Sequence, residues 1–172
     1  MNLKIQVKKS FNFIFWWMDK LAKKSYVKYY PRYLRWLGCK IDCKECNNTW
    51  ISPTVFLDSA QYDLIKIGKD VTISFGVTIL VHDFSIKHAA RIIGKENEIK
   101  SSIRKPVKIG NNVFIGAKSL ILPGTTIGDD CIIGGGSVVK GNIETGSIYA
   151  GNPARKIGTT LEYAEKYLLD SV

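Results

Sequence analysis

Histidine is scarce in this sequence: His82 and His88 are the only two in 172 residues. Two imidazoles cannot fill a three-histidine zinc site, which excludes zinc-hydroxide chemistry of that kind. Long apolar runs are missing too. The run Phe11 to Met18 (FNFIFWWM) has eight residues, against about 20 needed to span a bilayer, and no small-x-small cleavage site follows it. Neither a transmembrane anchor nor a secretory signal is expected, so the expected compartment is the cytosol, with the four cysteines reduced. Acids are nearly absent from one end. Residues 1–40 hold ten Lys or Arg against a single acid, Asp19, while residues 41–172 hold fifteen against fourteen. Almost all of the net charge of +10 therefore sits on the amino-terminal arm. A nucleic-acid-binding domain would spread its basic residues over a folded face, so nucleic acid is not the expected partner. With 45% hydrophobic and 23% charged residues, the remainder is ordinary globular material rather than disordered or collagen-like.

What is present is a period. Aliphatic residues recur every six positions at Ile67, Ile73 and Ile79, and again at Ile109, Ile115, Ile121, Ile127, Ile133 and Val139. Two residues before most of them stands a smaller partner: Val71, Val77, Val107, Val113, Ser119, Thr125, Cys131 or Ser137. Each hexad reads as a very short strand with two inward positions. Turn residues such as Gly110-Asn111-Asn112 and Gly128-Asp129-Asp130 separate the strands. So short a strand cannot bury an apolar side alone, and successive hexads must stack into a column, which predicts a parallel β-helix.

The segments Ile109 to Val139 (IGNNVFIGAKSLILPGTTIGDDCIIGGGSVV) and Tyr149 to Gly158 (YAGNPARKIG) carry a resemblance to the hexapeptide-repeat acyltransferase family. Its members are left-handed parallel β-helix enzymes that include galactoside, maltose and xenobiotic acetyltransferases. The resemblance covers residues 51 to 158 and implies an all-β prism with three hexads per coil. It also implies a homotrimer with active sites between neighbouring prisms, and acetyl-CoA as the donor. The expected division is a basic helical arm at 1–48, the β-helix at 49–158 with an extruded loop at 84–106, and a carboxy-terminal helix at 159–172 that packs on the prism.

Coil phasing predicts that Gly116-Ala117-Lys118 lies beneath Gly134-Gly135-Gly136, with Asn152-Pro153-Ala154 next in phase. A corner so bare of side chains lets a ligand approach the backbone. Gly116, Ala117, Gly134 and Gly135 are therefore the expected pantetheine groove, with their backbone amides available to an oxyanion. Tight corners also favour glycine for their own reasons, which is the structural alternative. Arg155 matches the basic residue of the family's G-N-P-A-[KR] segment and is expected near the CoA phosphates, with Lys140 and Lys156 as further cationic candidates. In place of the family's V-V-T-K-D the chain reads Val138-Val139-Lys140-Gly141-Asn142, a shift of one residue.

Acyl transfer to a hydroxyl needs a general base, and imidazole suits neutral pH. His82, in Val81-His82-Asp83-Phe84-Ser85, resembles the T-H-D-[HFY]-S segment of polysaccharide-type family members and is the expected base. Asp83 beside it is the expected acceptor contact, and His88 is the alternative. Cys131 occupies an inward slot and is not expected to form an acyl-enzyme. Cys39, Cys43 and Cys46 make C-x3-C-x2-C, an iron–sulfur spacing; structural thiols are the expectation, and no metal is expected. Phe114 replaces the family's indole position. The loop's six basic residues against two acids, Glu96 and Glu98, suit an anionic or bulky carbohydrate acceptor.

The arm reads as helical, with Phe11, Ile14, Phe15, Met18 and Leu21 on one stripe and Tyr30, Leu34 and Leu37 on another. Two roles stand open for it: peripheral contact with an anionic membrane face, or a cap on the open end of the solenoid. Together these features point to sugar O-acetylation in surface polysaccharide or lipopolysaccharide synthesis. Xenobiotic or amino-sugar N-acetylation, or a non-catalytic membrane-associated scaffold, are the alternatives.

Overall fold

The computed structural model describes residues 13–42, 48–58, 61–99 and 102–169. Its body is a three-sided left-handed parallel β-helix. The first coil carries β1 (Lys40–Ile41), β2 (Trp50–Ile51) and β3 (Phe56–Leu57), and the second carries β4 (Ile65–Ile67), β5 (Thr72–Ile73) and β6 (Thr78–Ile79). β7 (His82–Asp83) and β8 (Ile103–Arg104) bound the excursion from the prism, which contains helix α3 (Ser85–Ile92). The coils then resume with β9 (Val107–Ile109), β10 (Phe114–Ile115), β11 (Leu120–Ile121), β12 (Thr126–Ile127), β13 (Ile132–Ile133) and β14 (Val138–Val139). β15 (Asn142–Ile143), β16 (Ser147–Gly151) and β17 (Ala154–Thr159) close the far end, before helix α4 (Thr160–Leu169).

Face one of the prism is β1-β4-β9-β12-β15, face two is β2-β5-β10-β13-β16-β17, and face three is β3-β6-β11-β14. All seventeen inward positions read from the hexads are buried, none more than 3% exposed. The small polar ones tie off the corners. Ser119 Oγ lies within reach of the carbonyls of Gly116 and Gly134 (2.9 and 3.0 Å), and Thr125 Oγ1 donates to Leu122 O at 2.7 Å. A buried carbonyl at a tight turn would otherwise lack a partner.

Each corner has its own chemistry. Between faces one and two, Asp70, Asn112 and Asp130 adopt left-handed backbone with φ of 56°, 50° and 56°, a region Asn and Asp tolerate well. Their side chains form a ladder: Asn112 Nδ2 donates to Asp130 Oδ1 and Asn111 N–H donates to Asp129 Oδ1, both at 2.7 Å. Between faces two and three lies the glycine corner. Between faces three and one lie Leu122-Pro123-Gly124, Lys140-Gly141 and the excursion that starts at His82.

Register is 18 residues per coil in the centre, with Phe114 opposite Ile132 and Leu120 opposite Val138. It departs from this at both ends. The last coil runs 16 residues, with Ile127 opposite Ile143 and Ile133 opposite Tyr149, because the Lys140-Gly141 turn is two residues short. Ala150, rather than Asn152-Pro153, therefore sits above Gly134, and Asn152-Pro153 becomes the turn of an antiparallel β16–β17 hairpin. The first coil is looser, with Leu57 opposite Ile79 and Ile41 opposite Ile67. Its first strand, β1, falls within the stretch read from sequence as arm.

The arm covers the first coil. Helix α1 (residues 13–21) and helix α2 (Lys23–Leu37) pack Phe15, Tyr26, Tyr30, Leu34 and Leu37 into the same core as the coils. Tyr26 hydroxyl donates to Ile51 O, and Trp50 Nε1 donates to Asp19 Oδ1 at 2.9 Å. The expected α1 stripe is only partly inward: Phe15 is buried and Met18 half-buried, but Ile14 and Leu21 face solvent. Phe11 lies outside the described residues. The expectation that the carboxy-terminal helix packs on the prism also fails. Residues 161–168 are all exposed, and a cleft of about 610 Å³ separates α4 from face two at Thr72, Phe114 and Ile132. No helix among the described residues is long and apolar enough to cross a membrane.

Candidate active site

His82 leaves the prism at the corner of faces three and one, where the chain turns away from the coil. Its Nδ1 makes a short contact with Asp58 Oδ2, and the same oxygen accepts the Val81 N–H at 3.0 Å. Asp58 is 4% exposed and the imidazole 26% exposed, so a buried carboxylate orients a ring that still reaches solvent. A carboxylate only accepts, so Nδ1 carries the proton and Nε2 is left as the basic atom of the ring. Phe84 packs edge-on against the imidazole, with centroids 5.0 Å apart. The ring opens onto a pocket of about 250 Å³, lined among others by Asp83, Ile103, Lys105, Pro123 and Lys140.

The excursion keeps this pocket in shape. β7 pairs antiparallel with β8, placing His82 opposite Arg104 and Asp83 opposite Ile103. Lys105 N–H returns the chain to Val81 O at 3.0 Å. Asp83 Oδ1 accepts the Ser85 N–H at 2.8 Å and so anchors the start of α3. The Ser85 hydroxyl, then its N–H, and more weakly Lys140 and His82, hold the Asp83 carboxyl below its ordinary pKa. Asp83 thus has a local structural task. His88 is exposed on α3 and does not line the His82 pocket.

At the corner of faces two and three the expected column forms. Lys118 N–H donates to Phe75 O at 3.0 Å, and Gly136 N–H donates to Ala117 O at 2.8 Å. A Cβ on Gly116 would lie 2.4 Å from Gly135 N, and one on Gly134 would lie 2.8 Å from Ala150 Cβ. Coil stacking therefore demands glycine at both positions without any ligand. Gly68, Gly110 and Gly128 obey the same rule at the neighbouring corner, each with a backbone atom within 2.8 Å of the added carbon. The outward bareness rests on Gly136, around whose added carbon nothing lies within 4 Å. The amides of Gly116, Gly134 and Gly136 donate to Ile133, Tyr149 and Ala117 carbonyls, so the structure does not leave those three to an oxyanion. Phe75, exposed at the foot of the column, was not singled out from sequence.

The basic residues separate. Arg155 pairs across the hairpin from Ala150, which stacks on Gly134, so it stands at the top of the glycine column. Lys156 pairs from Tyr149 and its Nζ meets Glu144 Oε2 at 2.8 Å, toward the other edge of face two. Lys140 lies at the His82 pocket. The column and the imidazole thus occupy opposite edges of face three, and one chain does not bring them side by side. Cys131 points inward and is fully buried, with Sγ 3.0 Å from Glu144 O. Cys39 is buried, and Cys43 and Cys46 lie outside the described residues.

Asp58 escaped the sequence reading. An acid next to an inward position, one coil below a histidine, is the signal that finds it. The ten-residue spacing from Leu57 to Ile67, against six between regular hexads such as Ile73 and Ile79, hid the alignment.

Residues 106–141 match the family model described as bacterial transferase hexapeptide (six repeats). A putative acetyltransferase of Bacillus subtilis strain 168, YvoF, is 32% identical over 86% of this chain and 82% of its own. Galactoside O-acetyltransferase of Escherichia coli strain K12 is 34% identical over 64% of the chain, which spans 60% of that enzyme's length. The putative lipopolysaccharide biosynthesis O-acetyl transferase WbbJ of the same strain is 31% identical over 59% of this chain and 54% of its own. Among solved structures, a maltose O-acetyltransferase from Clostridium difficile 630 superposes with a TM-score of 0.58 at 28% identity, over 92% of this chain and 89% of its own. A galactoside acetyltransferase in complex with coenzyme A shares the fold with a TM-score of 0.57 at 23% identity, over 96% of this chain and 86% of its own.

Proposed function

Because the chain belongs to the bacterial transferase hexapeptide family, we propose that it moves an acetyl group from acetyl-CoA to a sugar hydroxyl, with His82 as general base. It is an acetyltransferase, and acetyl-CoA is its donor. The observation that carries the finer reading is the pair His82–Asp58: an imidazole held in one tautomer by a buried carboxylate and opening onto a pocket. Nε2 takes the proton of the acceptor hydroxyl as its oxygen attacks the thioester carbonyl. The C–S bond breaks, and the imidazolium returns the proton to the departing thiolate. No acyl-enzyme is needed.

The assembly follows from the separation of the two corners. A homotrimer would bring the column of one prism against the His82 edge of the next, which one chain cannot do. The donor's nucleotide would lie toward Arg155, and Lys105 and Lys140 would meet the acceptor. Likeness to galactoside, maltose and lipopolysaccharide O-acetyltransferases supports a carbohydrate acceptor, with surface polysaccharide or lipopolysaccharide synthesis as the setting.

The test is thiol release from acetyl-CoA by the purified chain across a panel of sugars, amino sugars and amines. Turnover that requires a sugar hydroxyl supports the proposal. Turnover with amines alone replaces it by N-transfer, and absence of both turnover and a CoA-induced thermal shift leaves a scaffold. In the same assay Arg155→Ala raises the KM for acetyl-CoA about tenfold, the size of one lost charge-assisted phosphate contact. Lys156→Ala changes it less than about twofold, because that ammonium is engaged by Glu144 at an exposed site.

A further inference from the structure

The cap explains one side of the arm only. In helices α1 and α2 the exposed apolar side chains include Phe13 (65%), Trp16 (37%), Trp17 (45%) and Trp36 (54%), besides Ile14 and Leu21. The exposed charged ones are Lys20, Lys23, Lys24, Lys28 and Arg35. None is acidic. Asp19, the one acid of this segment, is half-buried and spent on Trp50. Docking of Phe15 and the Asp19–Trp50 bond fix the rotation of α1, and that rotation turns Ile14 and Leu21 outward, where a lone cap would bury them.

The outward rings are grouped with cations. Trp16 and Trp17 lie 5.3 Å apart, Phe13 and Trp17 6.4 Å apart, and Lys20 Nζ sits 3.9 Å from the Trp16 ring centroid. On α2, Lys28 and Arg32 flank the Tyr29 ring at 5.7 and 6.0 Å. Indole rings beside lysines whose stems lie along apolar surface suit the headgroup layer of a bilayer, apolar below and charged above. A second copy of this chain is a poorer match: residues 41–172 carry fifteen basic residues against fourteen acids and offer no acidic excess.

We infer that the exposed face of α1 and α2 is a docking surface for an anionic lipid bilayer, which it enters in the plane of the headgroups without crossing. The first-coil end of the prism then faces the membrane, and the β16–β17 hairpin points away. The inference goes beyond the acetyl-transfer reading and does not depend on it.

The experiment is flotation of the full chain with phosphatidylcholine vesicles, with and without about 30% phosphatidylglycerol, read alongside tryptophan emission. Expected are co-flotation and a blue shift with the anionic vesicles, both lost at high salt. The variant K20E/K24E/K28E loses at least about fivefold in partitioning for each lysine changed. W16A/W17A loses both flotation and the emission shift while keeping its circular dichroism melt, since neither indole is in the core. Absence of flotation, equal flotation on neutral vesicles, or wild-type binding by K20E/K24E/K28E overturns the inference. So does tighter binding to a single-stranded oligonucleotide than to vesicles, or dissociation of the oligomer by W16A/W17A without lipid. Thiol release with a soluble acceptor, unchanged in both variants, shows a failure here to be separate from any failure of the acetyl-transfer reading.

Discussion

His82→Ala is expected to lower the turnover of acetyl transfer about 10²- to 10⁴-fold, with little change in the KM for acetyl-CoA. The imidazole lines the pocket proposed for the acceptor and lies at the opposite edge of face three from the glycine column. Donor binding should therefore survive its loss while proton removal does not. Asp58→Asn sharpens the test because it keeps the shape and removes the charge. The carboxamide oxygen can replace Asp58 Oδ2 toward both the Val81 N–H and the His82 Nδ1–H. It carries no charge, however, to stabilise the imidazolium that forms as the hydroxyl proton is taken. A drop of about 10²-fold or more in kcat at unchanged KM and unchanged melting temperature is the expected result. A purely structural aspartate would instead show lowered stability with kcat preserved, and a His82→Ala protein with full activity would end the assignment.

Gly116→Ala is expected to be among the most damaging single methyl groups in the prism. Its Cβ would stand 2.4 Å from Gly135 N and 2.8 Å from both Gly135 Cα and Ile133 O. All three are backbone atoms of the next coil, held by the Gly116 N–H to Ile133 O bond. No side chain can rotate away, so the coils must separate and stretch the ladder. A cost of about 3 kcal/mol lies at the upper end for overpacking, and it lowers the melting temperature by about 6–12 °C in a chain of this size. Gly136→Ala provides the control at the same corner. Its added carbon meets nothing within 4 Å, and its positive φ of 68° leaves only backbone strain, about 1–2 kcal/mol. If the two variants melt together, stacking does not set the spacing of these coils.

Much of the prism was legible because its rule is local and repeated. A residue such as Ile121 or Cys131 is inward by alternation within its own hexad, and the next hexad repeats the instruction. The Asx corner could be read for the same reason, since the left-handed turn is chosen by the residue that occupies it. The candidate site divides differently. His82 was legible as one of two imidazoles in a recognisable segment, but Asp58 depended on how much chain the connection from β3 to β4 consumes. The displacement of Ala150 onto Gly134 likewise came from a turn two residues short, and such an offset becomes visible only when the coils are wound.

The sequence by itself determined the three-sided column, its buried stripes, the glycine corner and the basic character of the arm. Each of these follows from residue type at fixed spacing along one segment. The tertiary structure alone decided which carboxylate holds the imidazole, that Lys140 and Lys156 stand away from the glycine column, and which side of α1 meets water. Those outcomes depend on contacts between coils and between arm and prism, set by turn lengths and by hydrogen bonds such as Asp19–Trp50, which no periodicity within a segment encodes.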